Sequence, residues 1–300
     1  MAKATPYYGC YRLVSADEQK KVGGTCLIVR NRESLFLATA RHCVDKKYRD
    51  PSASSSLPKS VLVHGFVKNR SYGYSPSEGM TFHLGDWVFD ASDNDVAVAR
   101  INGFTQRPVY LWAKDLFEPH PPTDLSIGTE VQFSGYPEGI QATDEAMPSM
   151  VLRKGVIASH PQVNISVPKA LGSEYALIDA FSQNGFSGAP VFALIYREVD
   201  LLRELIDFGT LLTNKRLSLF PRDKTFVQCA PEYQFLGINC GHFQTISDRS
   251  NGVHAGLSYY VRAKCVIETL RNCAQTHLDR FITVGVANSP IQNSVLIEQA

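Results

Sequence analysis

The chain has 300 residues, 44% of them hydrophobic and 20% charged, with a formal net charge of +1. It is long and apolar enough for one large or two modest cores, and its near-zero charge excludes broad electrostatic attraction to nucleic acid or an anionic membrane. No run approaches the roughly 18 apolar residues of a membrane span, and the start, Met1 to Cys10, lacks the apolar core of a signal peptide, so a cytoplasmic protein is expected.

The first clear element is a hairpin. Gly23 to Arg30 is a β-rich apolar run, Asn31 to Ser34 a polar turn, and Leu35 to Ala40 a second apolar run. Directly after it stands Arg41-His42-Cys43-Val44, where His42 is either a satisfied structural residue or a base. The word Ala38-Thr39-Ala40-Arg41-His42-Cys43 resembles the Thr-Ala-Ala-His-Cys signature of chymotrypsin-like serine peptidases, whose histidine is the general base. The resemblance implies a triad in the order His, Asp, Ser. Ser92-Asp93-Asn94-Asp95-Val96-Ala97-Val98-Ala99 supplies the carboxylate. Asp95 precedes the hydrophobic-Ala-hydrophobic word of that family and is preferred, while Asp93 lies in the polar approach and reads as a turn residue.

Between these words, residues 50–58 are rich in turn formers and Ser60 to Lys68 is strand-like. Asn69 to Glu78 reads as an exposed loop, and Met80 to Leu84 with Trp87 to Phe89 as a strand pair, which makes His64 and His83 sheet residues. Short strands separated by turns, with no convincing helix before residue 110, are the pattern of a small β-barrel. Three prolines in residues 118–124 resist helix and central strand alike and read as a linker. Strand signals resume at Thr129 to Pro137, whose Gly135-Tyr136-Pro137 resembles a word common in the HtrA-like branch of the same family. They continue at Met150 to Ala158 and Tyr175 to Ala180.

Residues 184–192, Asn184-Gly185-Phe186-Ser187-Gly188-Ala189-Pro190-Val191-Phe192, place a serine on a glycine-bracketed turn, a way to combine a nucleophile with backbone donors. By resemblance, the N–H groups of Gly185 and Ser187 form the oxyanion hole. Secreted digestive members carry an aspartate before the nucleophile, which pairs with a newly cut N-terminus. Phe186 cannot, so no activation of that kind is expected. Residues 196–232 form an insertion, read as either a short amphipathic helix near 198–206 or an extended hairpin, and a place for a regulatory partner. The strand from Leu236 to Asn239 resembles the segment whose edge pairs with substrate, putting Cys240, Gly241 and His242 along the cleft. Counting back six from Ser187 puts Phe181 at the floor of the specificity pocket, which disfavours a basic substrate residue. His254 to Val261 is a last strand, and Ala263 to Thr276 a helix on the second barrel, followed by a loosely held tail.

The expected fold is therefore all-β: two β-barrels of the chymotrypsin-like type with a C-terminal helix. Residues 1–117 form the first barrel with His42 and Asp95, 118–124 a linker, 125–280 the second barrel with Ser187, and 281–300 a tail. The resemblance implies a serine endopeptidase acting on protein or peptide through His42, Asp95 and Ser187 without metal or cofactor, while charge and hydropathy give no expectation of a nucleic-acid or membrane partner. Two other readings stay open. One is a catalytically silent peptide-binding protein on the same fold. The other is an α/β-hydrolase with Asp207 and His242, disfavoured by the absence of alternating β and α units. The seven cysteines, Cys10, Cys26, Cys43, Cys229, Cys240, Cys265 and Cys273, are irregularly spaced and read as free thiols. Cys26 and Cys43 flank the histidine hairpin at about the position of a family disulfide, and whether they are joined is open.

Overall fold

The computed structural model describes residues 9–15, 23–53, 56–69, 73–76, 79–117, 125–138, 149–167, 170–200, 227–245 and 253–287. The first nine strands are β1 (Cys10–Ser15), β2 (Gly23–Asn31), β3 (Ser34–Thr39), β4 (Ser60–His64), β5 (Phe66–Asn69), β6 (Gly73–Pro76), β7 (Met80–Phe89), β8 (Ala97–Phe104) and β9 (Leu111–Trp112). The order β1-β4-β7-β8-β3-β2 closes on itself through a β1–β2 pairing, and β9 adds alongside β2 in parallel. A short helix, α1 (Ala113–Phe117), ends this half. The second half runs β10 (Glu130–Gly135), β11 (Val151–Ile157), β12 (Tyr175–Asp179), β13 (Pro190–Asp200), β14 (Val227–Thr245) and β15 (Val253–Arg262). It closes in the order β10-β11-β12-β15-β14-β13.

The architecture is two antiparallel six-stranded barrels of the chymotrypsin-like type, followed by one long helix, α2 (Ala263–Ala287). Closure satisfies the backbone groups that an open sheet would leave on its edges. In β2 the six residues from Gly24 to Val29 are all buried. The continuous apolar run in this half of the hairpin thus has cover on both faces. Among the described residues both main sheets are closed antiparallel barrels and none is a parallel, helix-covered sheet, which rules out the α/β-hydrolase reading; Asp207 lies outside the described residues.

Four expectations change. Met80 to Phe89 is one strand, because Gly85 and Asp86 fall at register shifts within β7 and bend it without reversing it. Part of the expected 69–78 loop is β6, paired with β5 from Asn69↔Gly73 to Phe66↔Pro76. The helix runs past Thr276 to Ala287, as no Pro interrupts the chain before Pro290. It also reaches beyond the second barrel: Val266, Leu270 and Cys273 are buried in one cluster with Leu37, Val98 and Ile101 of the first. At the insertion, Arg197 to Asp200 pair with Ala230 to Val227, so its two ends form a hairpin. Residues 118–124, 201–226 and 288–300 lie outside the described residues.

Candidate active site

The first barrel's strand register brings two of the candidate residues together. β3 and β8 pair through Thr39↔Ala97, so the turn that follows Thr39 and the loop that precedes Ala97 emerge at the same barrel end. His42 sits in a single 3-10 turn, Arg41–Cys43. Its backbone N–H donates to Asp95 Oδ1 at 2.9 Å, and its Nδ1 lies 2.7 Å from Asp95 Oδ2. The Asp95 side chain is 1% exposed and that of His42 13%. Asp93, by contrast, adopts a left-handed backbone and pairs with Arg41 at 3.0 Å, away from the imidazole.

Further contacts hold Asp95 in place. The Tyr175 hydroxyl accepts from Asp95 N–H at 3.3 Å and donates to the Leu171 carbonyl at 2.6 Å. One residue earlier, the Asn94 carboxamide donates to Asp90 at 2.7 Å and accepts from Ser173 and Glu174 N–H of the other half. The Arg49 guanidinium also reaches Asp95, Nη2 to Oδ2, at 3.4 Å.

These charges set protonation. Burial is the largest influence on Asp95 and raises its pKa, but the His42 charge and hydrogen bond, then Arg49, outweigh it and hold the carboxyl below its ordinary value. Burial is also the largest influence on His42 and lowers its pKa, yet Asp95 and then Cys43 push it up to about 9. The sign follows. An imidazolium cannot accept a proton, so kcat/KM is expected to fall as pH drops, with an acidic limb above the roughly 6.5 of an unperturbed histidine. A pH–rate profile on an uncharged substrate measures it. By linkage, the stability His42 contributes is complete below about pH 6.5 and lost as pH rises through its raised folded value.

Ser187 lies at the mouth of β13, half-buried, in a loop tied to both barrels. Its carbonyl accepts from Thr25 N–H at 2.7 Å and lies 3.6 Å from Cys43 Sγ, which is itself 3.9 Å from His42 Nε2. The Ser187 carbonyl and the Nε2 of the imidazole thus flank one sulfur atom. Within 185–189, the N–H groups of Phe186, Gly188 and Ala189 are bonded to Gln183, Asn239 and Phe186 carbonyls. Those of Gly185 and Ser187 have no acceptor among the described residues. Two unpaired donors bracketing a serine are what an oxyanion site requires. Gly185 has φ +96, and a Cβ there would strike the Tyr136 carbonyl. Gly188 has φ +87, with Thr25 O in the way of any side chain. Phe186 is fully buried, edge-on to Phe133 at 5.5 Å.

Thr25 escaped sequence reading, although it is the polar member of an otherwise apolar buried strand. Its hydroxyl donates to the Gly185 carbonyl at 2.7 Å and accepts from Tyr136 N–H at 3.2 Å, while its own carbonyl accepts from Thr39 Oγ1. Thr25→Val would leave a buried N–H and a carbonyl unpaired. It is expected to cost about 1–3 kcal/mol, read from a urea melt, together with a drop in kcat as the Gly185 peptide loses its anchor.

The substrate-side residues need correction. Cys240 is fully buried, its Sγ 3.6 Å from the Asp95 main-chain carbonyl, so its side chain is turned to the interior and lines no open surface. Gly241 and His242 are half-buried beside it. Phe181 is 48% exposed with the Arg153 guanidinium 5.7 Å over its ring, and so forms no enclosed floor. Cys26 and Cys43 are both free thiols. Among the described residues, no three His, Cys, Asp or Glu side chains converge as a metal site needs.

The family profile of the trypsin-like peptidase domain matches residues 24–198. No curated protein matches the chain. Among solved structures, the chain is similar to the apo MamO protease domain from Magnetospirillum magneticum, with 12% identity, 88% of this chain and 97% of that one covered, and a TM-score of 0.49. It is similar to Deg5, with 17% identity, 89% and 88% coverage and a TM-score of 0.45. It is also similar to a serine endoprotease from Yersinia pestis, with 13% identity, 90% and 64% coverage and a TM-score of 0.46.

Proposed function

The chain belongs to the trypsin-like peptidase family, and from that premise we propose that it is a serine endopeptidase cleaving peptide bonds through an acyl-enzyme. The observation that supports this reading is that the N–H groups of Gly185 and Ser187 have no acceptor among the described residues, in a turn whose Ser187 carbonyl lies 3.6 Å from the same Cys43 sulfur that stands 3.9 Å from His42 Nε2. In the proposed cycle, Asp95 accepts from Nδ1–H of His42, which leaves the Nε2 lone pair to take the Ser187 proton as Oγ attacks the carbonyl carbon. The N–H groups of Gly185 and Ser187 hold the oxygen as it becomes negative. Collapse passes the proton from His42 to the departing amine, and water releases the acyl group by the same steps. Substrate main chain would pair with the part of β14 beyond Asn239, whose own N–H and carbonyl are taken by Ala189 and Gly188. There β13 has ended and, among the described residues, only β15 remains as a strand neighbour. The cysteines free and buried among the described residues, Cys10, Cys26, Cys43, Cys240, Cys265 and Cys273, fit work in a reducing compartment. Cleavage of a peptide library by the purified chain, abolished in His42→Ala, tests the proposal. Saturable peptide binding without cleavage would instead mark a silent member of the family.

A further inference from the structure

Seven residues after His42 stands Arg49, a cation that the triad itself does not require. Its side chain is 44% exposed, yet Nη2 points inward. That atom is 2.8 Å from the Cys240 carbonyl, 3.3 Å from the Tyr259 hydroxyl and 3.4 Å from Asp95 Oδ2. Nε and Nη1 have no acceptor among the described residues. Guanidinium is charged at every working pH and carries five donors, so most of its capacity is left without an acceptor among the described residues on a side chain that is partly exposed. Its one acidic neighbour among the described residues is no saturating partner: Asp95 bonds His42 at 2.7 and 2.9 Å and meets Arg49 only at the longer distance. The charge reaches along the cleft, because after burial it is Arg49 that lowers the pKa of His242.

We propose that Arg49 is a specificity-determining residue that pairs with an aspartate or glutamate side chain of the substrate. That acidic residue would precede the scissile residue and lie against the open edge of β14. The inference rests on the peptidase reading above. Position supports it: Arg49 touches Cys240, the first residue of that edge, and Asp95, so a side chain meeting its outer nitrogens belongs to a residue adjacent to the reacting bond. Charge supports it as well. Asp95 meets Arg49 only at 3.4 Å while it bonds His42 at 2.7 and 2.9 Å. A substrate carboxylate on Arg49 would give the guanidinium its own counter-charge and leave Asp95 to the imidazolium that forms as Ser187 attacks, so the acidic residue should speed acylation as well as tighten binding.

Matched peptides carrying Glu, Gln or Lys at either of the two positions before the cleaved residue test this, assayed with wild type, Arg49→Gln and Arg49→Glu. Wild type is expected to favour Glu over Gln by about tenfold in kcat/KM at one of them, about what one well-placed ion pair supplies. Arg49→Gln should bring the ratio near one, and Arg49→Glu should invert it in favour of Lys. A merely structural arginine would lower all rates alike and leave the ratios unchanged. Equal cleavage of Glu and Gln peptides by wild type, or a Glu preference that survives Arg49→Gln, overturns the proposal alone. Wild type cleaving none of the peptides, nor any member of the library, overturns the peptidase reading and this proposal with it.

Discussion

Ser187→Ala is expected to lower kcat by about 10⁶-fold, the scale seen when a triad serine is removed from another protease. The fold should not notice. The loop is held by the Ser187 carbonyl on Thr25 N–H and by the N–H groups of Gly188 and Ala189, all main-chain bonds that alanine keeps. Thermal midpoints of the two proteins should therefore agree while turnover of the best library peptide disappears into the background. A mutant retaining more than a few per cent of the wild-type rate would show that the hydroxyl does no chemistry.

Asp95→Asn is the second large effect, expected at about 10⁴-fold in kcat. Asp95 meets both the N–H and Nδ1 of His42 with its two oxygens while 1% exposed. A carboxamide can keep an acceptor for only one of them. If its NH₂ faces Nδ1, the ring proton moves to Nε2, the nitrogen that must receive the serine proton. The change also strips Arg49 of its acidic neighbour, and with no carboxylate left to raise it, the His42 pKa should drop. The pH–rate profile should then lose its high acidic limb as well as its amplitude. A fall of less than tenfold with an unmoved limb would contradict the assignment of Asp95.

How far the sequence alone reached depends on how local each signal is. His42, Asp95 and Ser187 each stand at the mouth of a strand within a short word; the folded chain bonds His42 to Asp95 and brings the Ser187 carbonyl to Cys43 beside them. Asp93 and Asp95 were separable for the same reason, since the strand-proximal carboxylate is the one the Thr39↔Ala97 register delivers to the imidazole. Arg49 was not legible. It follows Lys46 and Lys47 in a polar turn, and what singles it out is the Cys240 carbonyl, 191 positions away, reached only when β14 folds against the first barrel. Cys240 was misread because a β-strand residue shows the cleft either its side chain or its main chain, and the irregular register near Asn239 hides which. Gly85-Asp86 looked like a turn since the same residue types make turns and bulges. The helix α2 began where its apolar spacing began, but its burial partners on the first barrel are a tertiary fact that spacing does not carry.

The central claim is that Ser187 is an activated nucleophile, and a fluorophosphonate reacts with such a serine before any substrate is known. Incubation of the purified chain with the probe, followed by peptide mapping, should give one phosphonyl adduct, on Ser187, that is absent in His42→Ala. No adduct on the wild type, or equal labelling of the His42→Ala protein, would contradict the account.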